Sequence, residues 1–202
     1  MAILTLPGSP KLQKSRFGLE SNTLVFTSPI TKHTQTLEFP GARWMATYVL
    51  PPMQRPAAAA WQALLMKLRG QAGRFYGYDP DGRVPRGAGG GTPLVAGGDQ
   101  TGTSLVTDGW PADTAVLLAG DYVAYDVGVG RQLHMVVADA TSDGSGNATL
   151  AIEPPIRTSP ADDAALILAD ASCVMGLVDP EAGWDTDQIS YYGISFAAVE
   201  MY

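Results

Sequence analysis

Arg43-Trp-Met-Ala-Thr-Tyr-Val-Leu50 and Ala57-Ala-Ala-Ala-Trp-Gln-Ala-Leu-Leu-Met-Lys-Leu68 carry clear secondary-structure signals. The first stretch is rich in aromatic and β-branched side chains, which is typical of a β-strand. Pro56 suits the first position of a helix and Gly70 suits its C-terminal end, so the second stretch predicts a helix at about residues 56–69. Its large apolar residues recur at helical spacing and share one face: Trp61, Leu64, Leu65 and Leu68.

β-Strand signals dominate the rest of the chain. Two runs rich in β-branched and aromatic residues, at 23–27 and 34–39, precede the first stretch. Residues 1–20 show little periodicity, so we expect an extended arm with a short strand at 3–6. Residues 189–200 predict one long final strand. Further short strands are expected at residues 104–107, 115–118, 122–127, 132–138, 148–152, 165–168 and 172–178.

Two independent features place a domain boundary near residue 90. Residues 82–102 are rich in glycine and predict a flexible junction. The charge also changes sign, because residues 1–90 carry 11 basic and 4 acidic side chains and residues 91–202 carry 2 and 16. We therefore predict a mainly β protein in which a β-sandwich-like domain with one α-helix, residues 1–88 and 179–202, is interrupted by a small antiparallel β-barrel, residues 89–178.

The sequence offers little of the chemistry that catalysis requires. His33 and His134 are isolated, and neither has a partner at the spacing of metal ligands. Cys173 lies in an apolar stretch and is expected to be a buried small hydrophobic residue. Thr92-Pro93 follows the glycine tract without the lysine of a phosphate loop. We therefore predict no enzymatic activity, no cofactor-binding residue and no metal site.

Acidic loops leave a hydrolase open as an alternative. A glycosidase needs two carboxyl groups at a defined separation, which a sequence does not give. The candidate carboxylates are Asp162, Asp163, Asp179, Glu181, Asp185 and Asp187. Acidic loops are more often simply solvated, and we favour that interpretation.

Composition also bears on partners and location. No secretory signal or membrane-spanning run is present, and one cysteine excludes an intrachain disulfide framework, so we expect folding in a reducing cytoplasm. The net charge of −7 argues against nucleic-acid binding. Charged residues make up 16%, against about 25% in ordinary domains, which suggests that much of the surface contacts protein. The opposite charges of the two parts would suit complementary faces of neighbouring subunits.

The predicted architecture resembles the short form of the distal tail protein of long non-contractile-tailed bacteriophages. The pattern of residue types is similar to that of phage minor tail proteins in Arg43 to Pro52, in Trp61-Gln-Ala-Leu-Leu65 and in Leu68-Arg-Gly70. The same holds for the segment from Gly120-Asp121 through Asn147-Ala-Thr-Leu-Ala-Ile-Glu-Pro-Pro155 to Arg157. The resemblance covers nearly the full length of the chain. It rests on the architecture and on the pattern of residue types, because the family has no specific sequence motif.

This resemblance implies a structural protein of the virion tail, made and assembled in the bacterial host cytoplasm. The first domain would form a hexameric ring at the baseplate that joins the tail tube protein to the hub and tip proteins. The inserted domain would be an oligonucleotide/oligosaccharide-binding (OB)-like barrel, and no catalysis is implied. The candidate interface residues are Trp44, Tyr48, Arg69, Arg74, Arg83, Arg86, Tyr191 and Phe196, with Trp61 as a further core or ring residue.

Two other functions remain open from the residues alone. The chain could be another tail component, such as a tube or hub protein with an inserted domain. It could also be a carbohydrate-binding module that contacts the host surface through the barrel. The latter requires aromatic side chains exposed for stacking on sugars, and the candidates are Trp110, Tyr122 and Tyr125.

Overall fold

A computed structural model describes residues 2–128 and 130–202, which form a mainly β protein with one α-helix. That coarse prediction is confirmed. The helix α1 spans Arg55–Leu68, and a short 3-10 helix at Gly70–Ala72 follows it. In chain order the strands of the described residues are β1 (Leu4–Thr5), β2 (Lys14–Glu20), β3 (Thr23–Thr27), β4 (Thr34–Glu38), β5 (Arg43–Val49), β6 (Phe75–Gly77), β7 (Leu94–Val95), β8 (Gly102–Asp108), β9 (Ala115–Leu117), β10 (Tyr122–Val127), β11 (Gly130–Val136), β12 (Ala140–Thr141), β13 (Ala148–Ile156), β14 (Cys173–Leu177), β15 (Asp185–Thr186), β16 (Tyr192–Gly193) and β17 (Ser195–Glu200).

The first large sheet has six strands in the order β1-β6-β14-β17-β5-β2. Its pairs are antiparallel except for β1 with β6. The sheet therefore combines strands from both ends of the chain, with β14 and β17 placed between strands of the first 77 residues. Strand β5 alternates exposed and buried residues, which gives the sheet one face toward the core.

Helix α1 covers that core face. Pro56 lies in its first turn, and Arg69 and Gly70 close it with φ angles of 51° and 64°, as expected for a helix end. The predicted apolar stripe is buried, and the Trp61 ring lies 6.2 Å from the Phe196 ring of β17. Phe196 also lies 5.4 Å from the Tyr48 ring. The helix prediction is confirmed to within one residue at each end.

A second sheet has five antiparallel strands in the order β10-β11-β13-β8-β7. A separate pair, β9 and β12, lies beside it. The buried apolar side chains of this region form their own cluster, which includes Val123, Leu150 and Ile152. The described residues therefore form two hydrophobic clusters, one for each large sheet.

Strand β14 corrects one detail of the predicted boundary. Residues 172–178 were expected in the inserted unit, but Cys173–Leu177 hydrogen-bonds between β6 and β17 of the first sheet. All five residues are buried, as in a central strand covered on both faces. An apolar run of this kind predicts burial and does not specify which sheet receives it.

Two further segments differ from the prediction. The expected extended arm contains β2, which pairs with β5 over seven residues and forms an edge of the first sheet. The expected final strand at 189–200 is divided, because β16 pairs with β15 and β17 pairs with β5 and β14. Residues 165–168 form only isolated bridges, at Ala165 and Ile167.

The glycine tract is packed rather than extended into solvent. The N–H groups of Ala88 and Gly89 donate to the carbonyls of Ala115 and Val116 at 3.0 Å each. A side chain at Gly87 would collide with the backbone of β9, so only glycine permits this close approach. The tract thus adds a backbone pairing beside β9.

The two sheets are joined by specific buried contacts. The Trp44 indole of β5 donates from Nε1 to the Leu133 carbonyl of β11 at 2.8 Å. Its ring stacks on Phe17 at 5.1 Å and meets the Tyr122 ring of β10 edge-on at 5.8 Å. Tyr122 therefore belongs to the first hydrophobic cluster, although its strand is part of the second sheet.

The helix packing predicts a contrast between two adjacent residues. Leu65 is buried against the sheet, whereas the Met66 side chain is half exposed. Leu65→Ala should lower the free energy of unfolding by about 2–5 kcal/mol because it leaves a cavity. Met66→Ala should change it by less than about 0.5 kcal/mol. Urea unfolding measures both values, and equal losses would contradict the described face of α1.

Candidate functional site

The titratable groups that could support catalysis have structural positions. His134 is fully buried, and its Nδ1 and Nε2 lie 2.6 Å from the Pro154 carbonyl oxygen and 3.0 Å from the Tyr125 hydroxyl. Burial lowers the pKa of His134 to about 4. Cys173 is buried as predicted, and burial raises the pKa of its thiol. His33 lies in the exposed turn between β3 and β4.

Several carboxylates stabilise turns by accepting backbone N–H groups. Asp162 accepts the Gly97 N–H at 2.7 Å, and Asp187 accepts the N–H groups of Ile189 and Tyr191 at 3.1 and 2.7 Å. No cluster of three potential metal-ligating side chains occurs among residues 2–128 and 130–202. These observations assign a local role in turns to two of the acidic residues considered for hydrolysis.

Asp121 is the most enclosed of the carboxylates in turns. Burial alone would raise the pKa of Asp121, but donation from the N–H groups of Leu118, Arg86 and Gly87 lowers it. The Arg86 guanidinium adds an ion pair at 3.4 Å. Asp121 therefore fixes the segment before the glycine tract against the start of β10.

Two of the candidate interface arginines form ion pairs within the chain. Arg83 Nε lies 2.5 Å from Asp170 Oδ1, and the guanidinium is 5.2 Å from the centre of the Tyr78 ring. Arg86 pairs with Asp121 as described above. The opposite charges of the two parts of the chain are thus partly paired internally, and these pairs join residues 83–86 to the turn before β14 and to the start of β10.

The other two candidate arginines lie near the end of α1. Arg69 is exposed at the helix C-terminus. Arg74 is partly buried and donates from Nη1 to the carbonyls of Gln71 and Gly73 at 2.9 Å each. Neither forms an ion pair in the part of the chain that the structure describes.

The candidate aromatic residues lie mainly in the core. Trp44 and Tyr48 are buried, and the Tyr48 hydroxyl donates to the Tyr78 carbonyl at 2.7 Å. Burial raises the pKa of Tyr48. Phe196 is partly buried within the aromatic cluster, and Tyr191 is partly buried in the turn before β16. Core packing accounts for Trp44, Tyr48 and Phe196.

The most unusual surface is the hairpin of β3 and β4, in which every residue is exposed. Within the part of the chain that the structure describes, these strands pair only with each other. Leu24 lies opposite Leu37, and Phe26 lies opposite Gln35, so these side chains share a face. Phe39 continues the alternation. We call Leu24, Phe26, Leu37 and Phe39, which are 58%, 61%, 55% and 42% exposed, the hairpin face.

Sequence reasoning found both strands and missed this surface. The alternation of Leu24 with Phe26 and of Leu37 with Phe39 is the signal of a strand with one apolar side. In most proteins such a side packs on the core of the same chain. Here it does not, and no sequence pattern distinguishes the two outcomes.

A second surface feature is a cavity of about 820 Å³ lined by four arginines. We call it the arginine cavity, and its basic residues are Arg43, Arg74, Arg131 and Arg157. Glu200 is the one acidic residue among its described lining residues. The Arg157 guanidinium pairs with Glu200 at the floor of this cavity and donates to the Ala42 carbonyl at 3.1 Å.

No helix in the described residues is long and apolar enough to cross a membrane. Comparison with known proteins gives no family, because no family model and no curated protein matches the chain. The hairpin face and the arginine cavity are therefore the observations from which a function can be argued.

His134 predicts a pH dependence of stability. Its pKa of about 4 in the folded chain lies below the ordinary value of 6.5. As the pH falls, the unfolded chain therefore binds a proton at this residue before the folded chain does. The contribution of the neutral His134 side chain to the free energy of unfolding is therefore present above pH 6.5, and it is lost as the pH falls to about 4. Above pH 6.5 this contribution to the free energy of unfolding is about 3 kcal/mol.

Comparison with His134→Gln isolates this contribution, because the carboxylates titrate in both chains. The difference in free energy of unfolding between wild type and variant should be largest at pH 7 and should narrow by about 3 kcal/mol by pH 4. Urea unfolding at several pH values measures it. A constant difference would contradict the buried neutral imidazole.

Proposed function

We propose that this chain is a structural subunit of a bacteriophage tail tip, of the distal tail protein type. In this role it forms a ring in the baseplate that joins the tail tube to the hub and tip proteins. It is a virion protein, made and assembled in the host cytoplasm, and it is not an enzyme. The hairpin face is the single observation that carries the assembly role.

The hairpin face needs a covering surface for physical reasons. A two-stranded hairpin that packs on nothing is marginally stable in water. Burying each large apolar side chain contributes about 1.5–3 kcal/mol, so a partner that covers the four residues of the hairpin face gains stability and orders the hairpin. A neighbouring subunit of a ring supplies this cover in every copy at once.

In this proposal the two large sheets correspond to the two domains of the distal tail protein. The six-stranded sheet with α1 would be the sandwich-like ring domain, and the five-stranded antiparallel sheet would be the OB-like inserted barrel. The separate hydrophobic cluster of each sheet supports this division. Strand β14 then returns the chain to the ring domain earlier than residue 179.

The carbohydrate-binding alternative receives no such support. Trp110, Tyr122 and Tyr125, which would need exposed rings to stack on sugars, are all buried. Tyr122 and Tyr125 face the two hydrophobic clusters, and the Trp110 indole donates to the Thr107 hydroxyl at 2.8 Å. Their positions favour packing roles.

Light scattering of the purified chain over a concentration series tests the proposal. We expect a discrete oligomer of about six subunits, the number that the family resemblance implies. Phe26→Ser/Leu37→Ser should shift the mass toward the monomer because it removes apolar area from the hairpin face. Val25→Ser/Thr36→Ser changes an opposed pair on the other side of the same hairpin and is the matched control.

The two variants separate assembly from folding. Both should unfold in urea at nearly the wild-type midpoint, because all four side chains are exposed. A monomeric wild type at every concentration would contradict self-assembly. An oligomer that Phe26→Ser/Leu37→Ser leaves intact would contradict the role of the hairpin face.

A further inference from the structure

The arginine cavity holds a concentration of positive charge in a chain whose net charge is −7. Two of its guanidinium groups are held against aromatic rings. Arg131 lies 4.5 Å from the centre of the Tyr76 ring and Arg157 lies 4.4 Å from that of Tyr202. Stacking fixes the plane of each guanidinium. Arg131 also donates to Asp126 and Ser172, and Arg157 donates to Glu200 and the Ala42 carbonyl, so these two groups are held in place at the cavity wall.

Three of the four arginines of the cavity are paired with acidic residues of the same chain. Arg43 pairs with Glu20, Arg131 with Asp126 and Arg157 with Glu200.

Arg74 has no acidic partner among the described residues, and its hydrogen bonds run to backbone carbonyls. Carbonyl groups hold a guanidinium in place without cancelling its charge. The cavity therefore retains a net positive charge, and its ligand class is an anion with carboxylate geometry.

The same chain carries a matching acidic segment. Residues 179–187, which we call the acidic loop, contain no basic residue. Their acids are Asp179, Glu181, Asp185 and Asp187, all exposed. None of these acids forms an ion pair within the described chain. Trp184, 39% exposed, lies among them and offers a large apolar side chain.

The acidic loop lies apart from the arginine cavity of its own copy, because none of its residues is among the described residues that line the cavity. Phe75 and Met175 are opposed on the face that α1 covers, and Asp179 and Glu181 line a hollow with Leu65 of that helix. Tyr76 and Val174, the next opposed pair along β6 and β14, point the other way, toward the arginine cavity. The acidic loop therefore leaves the cavity of its own copy open.

We propose that the acidic loop of one copy binds the arginine cavity of the next copy. This inference rests on the proposed ring, and it identifies the contact that sets the orientation of neighbouring subunits. Two different surfaces meet, so the contact is head-to-tail, and such contacts close a ring when the rotation between copies permits. Carboxylates meet guanidinium groups while Trp184 supplies apolar area at the centre.

Neutralising the acidic loop tests the proposal. The variant Asp179→Asn/Glu181→Gln/Asp185→Asn removes three negative charges. The matched control, Asp99→Asn/Asp113→Asn/Asp163→Asn, removes three from exposed residues elsewhere. The control positions have positive φ angles, which asparagine accepts. By light scattering, the loop variant should assemble roughly 10- to 100-fold more weakly at moderate salt, and the control should match the wild type.

Cross-linking locates the contact. Cys173 is the one cysteine and is buried, so a short bis-maleimide reacts with introduced cysteines. A mixture of Asp185→Cys and Arg43→Cys chains should give a covalent dimer. A mixture of Asp99→Cys and Arg43→Cys chains is the control and should give little.

The outcomes distinguish this contact from the ring itself. A wild-type ring that persists in the loop variant, with no excess of the 185–43 dimer over the control, overturns this inference and leaves the proposed function standing. A wild type that is monomeric under all conditions, with no cross-linked dimer, overturns both. Loss of the ring in the loop variant together with the 185–43 dimer supports the contact.

Discussion

The Glu200 carboxylate is the group on which the arrangement of the two sheets depends. It lies buried at the end of β17, where it accepts the Trp44 N–H at 3.0 Å and pairs with Arg157 beyond β13. Burial raises the pKa of Glu200, and the charge of Arg157 opposes that shift. Removing one partner of such a buried pair typically costs about 3–5 kcal/mol, because the other charge stays buried alone.

Both proposed contact surfaces lie close to residues that this buried pair contacts. Arg157 holds the Ala42 carbonyl at the base of the hairpin, and it forms part of the floor of the arginine cavity. The strand that ends in Glu200 is central in the six-stranded sheet. The segment that follows the hairpin and the arginine cavity are therefore anchored by the same arginine. Apolar area would supply most of the affinity between subunits, and charge would supply register.

Local structure was predictable from the sequence, and long-range placement was not. The helix is specified by Trp61, Leu65 and the glycine after its last turn, all of which act within a few residues. The pairing of Cys173–Leu177 with β6 joins residues about 100 positions apart, and an apolar run carries no information about its partner. The exposure of Phe26 likewise depends on whether another part of the chain packs against its side chain.

Amide hydrogen exchange of residues 23–38, measured below and above the concentration at which the chain assembles, shows whether assembly covers the hairpin face. We expect fast exchange of the hairpin in the monomer and strong protection in the assembly, while the buried strand Cys173–Leu177 stays protected in both. Equal exchange of the hairpin in the two states would contradict this expectation, since the apolar face would then remain uncovered in the assembled protein.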